Sequence, residues 1–422
     1  MAKADNPQPA QAYDSAWSDF DHHAASVGDD NIWPTYAKMR AQCPAAHSDR
    51  HGGYWILTRY SDVLTAVRDN ETFSSAHGVR VPEVGPGRSI PLDFDPPLHA
   101  DYRALFTAAF TPTRLKELQP FVRQLIRRLL AAFAAAGGGD AIAMIAEPLP
   151  LEILTQVVGF SPATVSRLRE LTRNSWQKVA SISLDDARAQ IRELIREEVT
   201  AHRDELPDDY LTWLLTARVE NRAITDDEIV RTLVSFAIAG HETTVNAIGN
   251  MIYLLVTETG VQARLRDDTG CIPRLVEESL RLRTPAHMFG RRTTREVQIG
   301  GTQMAAGEQV LLSFAAANRD EAQFPHAAEF DHVRGARNHL AFGAGIHVCV
   351  GAPFARLELR MLLEELRELP RLELDGEVEF SKLEGGHHMG PRHLPVRLTA
   401  TAIPQPPDRR DQPTILGRAH RP

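Results

Sequence analysis

The sequence is short of cysteine. Cys43, Cys271 and Cys349 are the three in 422 residues, and they lie far apart. Scattered so, they cannot frame a disulfide-stapled domain or a four-thiolate zinc or iron–sulfur site, and they fit a reducing cytoplasm. Long apolar runs are also lacking. The stretch richest in apolar residues, Ile229 to Val256, is broken by Arg231, His241, Glu242 and two asparagines, which would be costly in lipid. The N-terminus, MAKADNPQPAQAYDSAW, has no apolar core of the kind a secretory leader needs. Neither sign of charge dominates: 47 Lys plus Arg against 55 Asp plus Glu leave −8, no field for nucleic acid or an anionic membrane. Glycine and proline, 27 of each, are too few for a collagen-like or wholly disordered chain. No fixed period repeats, so a solenoid is excluded.

What is present is an ordinary globular composition, 43% hydrophobic and 24% charged. A chain of this length buries roughly three-quarters of its surface and needs no covalent staple. Tyr54 to Thr58 (YWILT) predicts a strand, and Ser61 the N-cap of a helix over Asp62 to Arg68. From Thr113, residues Leu118, Val122, Leu125, Leu129 and Phe133 recur at helical spacing until Gly137-Gly138-Gly139 stops the run. Helical pattern resumes from Leu149 to about His202. Thr225 and Glu228 form a capping box for a Pro-free helix from Asp226 to about Val256, roughly 45 Å long. A shorter helix, Pro273 to Leu282, ends before Thr284-Pro285. Short strands and turns follow from Thr293 to Leu312, then a helix from Gly351 to Leu366 and strand-like pieces at Leu372 to Phe380 and Leu394 to Thr399. The fold class is mainly α with a small antiparallel β component. Residues 16–403 are expected to form one domain, after a flexible N-terminus over 1–15 and before a disordered Pro- and Arg-rich tail over 404–422.

The chemistry-bearing feature is Phe342-Gly343-Ala344-Gly345-Ile346-His347-Val348-Cys349-Val350-Gly351. Glycines on both sides of Cys349 allow a tight loop whose amides can point at the sulfur, and the following helix offers its N-terminal dipole to a thiolate. A thiolate held by amides and shielded by Phe342 is what a haem iron needs as a proximal ligand. The other reading is a small buried hydrophobe, the common fate of a free cysteine.

This loop resembles that of the cytochrome P450 thiolate-haem monooxygenases, matching F-x-x-G-x-H-x-C-x-G at every specified position, and further motifs follow in order. The resemblance implies the cytochrome P450 fold, with haem b (iron protoporphyrin IX) held by Cys349, Phe342 and Gly343. It implies a kink at Ala239-Gly240-His241-Glu242-Thr243-Thr244, where Glu242 is the acid and Thr243 the hydroxyl that deliver protons to dioxygen chemistry. A Thr bonding back to its own helix is the bland alternative. A zinc-protease H-E-x-x-H fails, because residue 245 is valine. Glu278 and Arg281, with Arg334, resemble the family's structural Glu–Arg–Arg set. His99 and Arg103, one helical turn apart, with Arg291 and His347 resemble its haem-carboxylate ligands; Arg292 competes with Arg291. Ile238, Ala239, His287, Met288, Phe289 and His388 are candidate pocket residues. Between Ala141 and Ser183, Ala- and Leu-rich segments imply an apolar pocket roof.

The function implied is insertion of one oxygen atom from dioxygen into a lipophilic small molecule, by hydroxylation, epoxidation or dealkylation, in a cytoplasmic and monomeric enzyme without a membrane anchor. Electrons are expected from NAD(P)H through a separate ferredoxin or flavodoxin and its reductase, since no Gly-rich dinucleotide loop follows a strand. Arg356 or Arg360 would contact that partner. A peroxide-driven peroxygenase, or a thiolate-haem sensor without turnover, are the alternatives; Glu242 and Thr243 would be idle in either. Asp21-His22-His23 and His387-His388 with His393 resemble small metal clusters, but no further carboxylate or thiol completes a ligand set for either.

Overall fold

A computed structural model describes residues 15–24, 27, 31–82, 88–176, 184–381 and 387–399. The expected N-terminal arm over 1–14, residues 177–183 of the pocket roof and the tail over 404–422 lie outside the described residues.

Strand β1 (Ala45–Ser48) pairs antiparallel with β2 (Tyr54–Leu57). The continuous apolar run of β2 has a reason. Alternate side chains enter different cores: Trp55 and Leu57 join Val310 and Leu312, whereas Tyr54 and Ile56 join Leu311 and Met288. Helix α1 (Tyr60–Arg68) follows and starts before the expected cap. Ser61 is not the N-cap, because Asp320, from far along the chain, accepts the Tyr60 amide at 2.9 Å. Strand β3 (Phe73–Ser74), helix α2 (Leu98–Ala109) and helix α3 (Pro112–Ala135) lead to β4 (Gly138–Asp140). The α3 periodicity holds, with Val122, Leu125, Leu129 and Phe133 buried. Gly138 does more than stop that helix. At φ +124°, a Cβ there would lie 2.2 Å from the Val396 carbonyl oxygen of the pairing strand.

Helix α4 (Asp226–Thr257) opens on the expected capping box. Glu228 accepts the Thr225 amide at 2.8 Å, and its side chain also takes Arg222 and the Tyr102 hydroxyl. Helix α5 (Ile272–Leu282), strands β5 (Met288–Thr293) and β6 (Gln309–Ser313), helix α6 (Ala352–Leu366) and strands β7 (Arg371–Leu374) and β8 (Pro395–Thr399) complete the frame. The larger sheet has the order β1-β2-β6-β5-β3, and its one parallel pairing is β2 with β6. A smaller sheet has the order β7-β8-β4. The main helical core runs from Ile90 to Val396 and gathers side chains of α2, α3, α4, α5 and α6. No helix among the described residues is long and apolar enough to cross a membrane.

Candidate active site

Two stretches break an otherwise closed interior. Between Glu228 and Val256, helix α4 is exposed at Ala239 and Gly240 alone. Cys349 is the other. Its sulfur lies deep within the molecule, yet the residue is open, so the surface it shows belongs to an internal hollow. Phe110 joins the two walls, its ring 5.8 Å from Phe236 of α4 and 5.9 Å from Phe354 of α6.

The loop that carries Cys349 is tight for identifiable reasons. The Cys349 amide donates to the Phe342 carbonyl at 2.8 Å. Gly345 sits at φ +68°, where a Cβ would meet the Val67 carbonyl oxygen at 2.6 Å, so the loop lies directly on the end of α1. Burial raises the thiol pKa. The amides of Gly351 and Ala352, at the start of α6, and the charges of Arg103 and Arg356 oppose that rise without overcoming it. The sulfur thus has donors in place for a thiolate, and a bound cation would displace its proton.

Arg356, one of the two residues expected at a partner contact, is also engaged within the molecule. Its guanidinium clasps Glu277 at 2.7 and 2.8 Å and covers the Phe342 ring at 4.4 Å, while His339 reaches the same carboxylate at 3.0 Å. Burial alone would raise Glu277, but His339 and Arg356 outweigh it and hold the group at about 2. The folded value is below the unfolded one, so this brace stabilises above about pH 4.5 and is lost as pH falls toward about 2. Glu277→Gln should cost about 2 kcal/mol at pH 7. It should also flatten the acid limb of the Tm–pH curve; an acid limb identical to the parent's would refute the assignment.

The four residues expected to grip carboxylates lie together. His99 and His347 meet edge to face, with ring centroids 4.4 Å apart. Burial first, then the charges of Arg291, His99 and Arg103, push His347 down to about 2, so these four groups share one locality. Of the β5 pair, Arg291 is 5% exposed and turned inward, and Arg292 is the half-buried neighbour, pairing with Gln309. The Arg291 guanidinium donates to the Gly290 carbonyl at 2.7 Å; burial lowers it to about 10, with Asp95 and Asp93 opposing. It stays charged at neutral pH without an ion-paired carboxylate. Nε2 of buried His99 has no hydrogen-bond partner either. A buried cation and an orphaned ring nitrogen beside the hollow call for a bound anion. Two contributors have no sequence signal: Ser75, whose hydroxyl meets His347 Nε2 at 2.9 Å, and Asp95, which accepts from Ser75 at 3.1 Å.

On α4 the implied kink is not seen as a break; helical bonding runs unbroken from Asp226 to Thr257. The Thr243 hydroxyl donates back to the Ala239 carbonyl at 2.7 Å, leaving its lone pairs available. Glu242 Oε2 lies 2.7 Å from His388 Nδ1, a contact between segments distant in sequence that no motif announces. His241 is buried and, through burial, held at about 4 and hence neutral.

The candidate pocket residues divide. Ala239 is exposed to the hollow, and Ile238, Phe289 and His388 are half-buried. Met288 is instead a core residue, 0% exposed and packed with Tyr36 and Leu311. His287 is 1% exposed, with its ring 5.1 Å from that of Trp33, so the expectation for both is corrected. The His387–His388–His393 cluster does not form. His387 Nδ1 meets the Met288 carbonyl at 2.6 Å, His388 meets Glu242, and His393 meets Asp140 at 2.9 Å.

Glu278 and Arg281 lie behind the cysteine loop, both side chains fully buried. Arg281 bonds Glu278 at 2.8 and 2.7 Å and spends its remaining donors on the carbonyls of Asn318, Ala327 and Glu329. Arg334 stands further off, 3.8 Å from Glu278.

Comparison with known proteins agrees with this geometry. A family model described as Cytochrome P450 matches residues 163–270 and 271–386. The chain is 33% identical to Cytochrome P450 130 of Mycobacterium tuberculosis, over 88% of this chain and 96% of that protein. It is 33% identical to the mycinamicin IV hydroxylase/epoxidase of Micromonospora griseorubida, over 81% and 89%. Among solved structures, Cytochrome P450 CYP109Q5 from Chondromyces apiculatus superposes with a TM-score of 0.80 at 28% identity, covering 91% of this chain and 99% of that one.

Proposed function

Because the chain belongs to the cytochrome P450 family, whose members use haem and dioxygen, we propose that Cys349 holds the haem iron and that the hollow before it receives the substrate. The enzyme is a monooxygenase, an oxidoreductase that places one oxygen atom in a small molecule. The observation that carries the site assignment is a deep but open sulfur, faced by two amides, with an unneutralised buried arginine in the same hollow. The residues fit the group: Arg291, Arg103, His99 and His347 would hold its two carboxylates, and Phe342 and Gly343 would pack against it. When bound, the haem supplies dioxygen activation, with one oxygen atom entering the substrate and the other leaving as water.

This chain's own contribution is position and protons. Thr243, with its hydrogen committed to the Ala239 carbonyl, presents an acceptor oxygen to a water in the hollow. Glu242 stands beside it on the helix and meets His388 on its far side, so a proton taken up at His388 can pass to the carboxylate and on to that water. Thr243→Ala leaves the fold intact and removes the acceptor. It should cut the fraction of electrons recovered in product on the order of tenfold, with peroxide made instead; unchanged coupling would contradict the relay.

We also propose that electrons arrive from NAD(P)H through a ferredoxin or flavodoxin and its reductase, that residues 16–403 form one catalytic unit, and that the enzyme acts as a monomer in the cytoplasm. The core running from Ile90 to Val396 supports the single unit. The substrate is proposed to be lipophilic, and the relative named for mycinamicin IV recommends macrolides among the ligands tried. The test is to reduce the purified protein under carbon monoxide, then screen ligands by difference spectra and supply electrons. A strongly red-shifted band and a product one oxygen atom heavier are expected. A normal band with no product from any bound ligand would favour a sensor.

A further inference from the structure

Away from the hollow, three histidines from two segments meet at the N-terminal arm. His22 and His23 follow the Ser15–Trp17 turn of helix, and His51 lies in the Arg50–Gly52 turn between β1 and β2. One ring nitrogen of each lies within 4.8 Å of the other two. Asp21-His22-His23 lacks a completing ligand in the linear sequence, and the fold provides His51.

The hydrogen bonds sort the nitrogens. His51 Nε2 donates to Asp21 Oδ1 at 2.7 Å, which leaves its Nδ1 for another partner. A carboxylate behind an imidazole in this way fixes the ring and raises the basicity of its other nitrogen. Asp21 is itself held by the His23 amide at 2.8 Å. His22 Nδ1 meets the Tyr54 hydroxyl at 2.9 Å, whereas Nε2 of His22 and Nε2 of His23 both address the Val81 carbonyl oxygen, at 2.8 and 2.7 Å.

We propose that His22, His23 and His51, with Asp21 behind His51, bind one divalent transition-metal ion of the zinc class. Three neutral imidazoles without a thiolate or a shell of oxygens suit zinc, nickel or copper, and do not suit calcium or magnesium. The site is empty in this structure. Protons balance without release: His22 and His23 each move their ring proton from Nε2 to Nδ1. The Tyr54 hydroxyl can receive the one from His22, since it can donate to the Phe20 carbonyl at 2.9 Å instead. Water receives the one from His23, which is half-buried. Ligand nitrogens around a tetrahedral ion lie roughly 3.4 Å apart, so binding draws the three rings inward by about 1 Å. The ion then fastens two segments to each other, the arm at Asp21–His23 and the β1–β2 turn, in exchange for the two ring bonds to the Val81 carbonyl.

The test is calorimetric titration of zinc chloride into the haem-loaded, tag-free protein after chelator treatment. One saturable equivalent is expected, with a rise in Tm of a few degrees at excess zinc. His23→Ala combined with His51→Asn should weaken binding at least tenfold and remove the Tm rise. Asparagine is chosen because residue 51 sits at φ +53°, a left-handed conformation that it tolerates. The carbon monoxide band of the variant verifies its fold. His332→Ala, outside the cluster, should bind zinc as the parent does. No saturable equivalent in the parent overturns the proposal, as does equal affinity in the double variant.

Discussion

Replacing Cys349 with alanine is expected to abolish the red-shifted carbon monoxide band and monooxygenase turnover together. The four groups proposed for the haem carboxylates are untouched by the change, so haem should still enter, with an iron that lacks its sulfur. Neither remaining cysteine can deputise. Cys271 is 1% exposed within the main core, where burial raises its pKa, and Cys43 lies in the turn before β1, its sulfur 3.5 Å from the Ala45 carbonyl oxygen. Alanine also leaves the loop's own bonds in place, since the Cys349 amide, not its side chain, closes the turn onto Phe342. Absorption of the reduced protein with and without carbon monoxide, alongside haem content, checks this. Persistence of the red-shifted band in the variant would sink the ligand assignment.

Arg281→Ala should be the most destabilising single change behind the site. All five guanidinium donors have acceptors, two on Glu278 and three on backbone carbonyls. Removing them strands a fully buried carboxylate, which costs about 3–5 kcal/mol. The damage should reach the haem, because Asn318, whose carbonyl Arg281 holds, accepts the Leu340 amide at 2.6 Å, two residues before Phe342. Replacing both partners together, Glu278→Leu with Arg281→Met, should cost less than the single change, since no charge is left unpaired. Denaturant unfolding with haem absorbance reads both. A loss below about 1 kcal/mol for Arg281→Ala would contradict this account.

What was legible in the sequence was local. The glycine-flanked Cys349 loop, the Thr225–Glu228 box and the α3 stripe are each short patterns whose physics is complete within a few turns. The four residues proposed for the haem carboxylates come from a family pattern, and the fold brings them to one place. The missed features are all long-range. Nothing near Ser61 tells that Asp320 will start the helix two residues earlier. Nothing near His388 tells that it will meet Glu242. Nothing near Arg356 tells that it will clasp Glu277 on another helix, and nothing near Asp21 tells that His51 will join it. Met288 is misplaced for a related reason: the face a strand residue shows depends on which core each side meets.

The two walls of the hollow differ in how much change they can absorb. On the sulfur side, an added methyl at Gly345 runs into main chain at Val67, which cannot step aside. On the opposite side, a methyl at Gly240 would meet only the Leu154 Cδ1 atom at 3.8 Å, an ordinary contact. Laboratory evolution of this enzyme therefore has an adjustable wall and a fixed one. Substrate scope can be reshaped by one or two carbons at a time along Ala239 and Gly240 while the Cys349 loop is inherited unchanged.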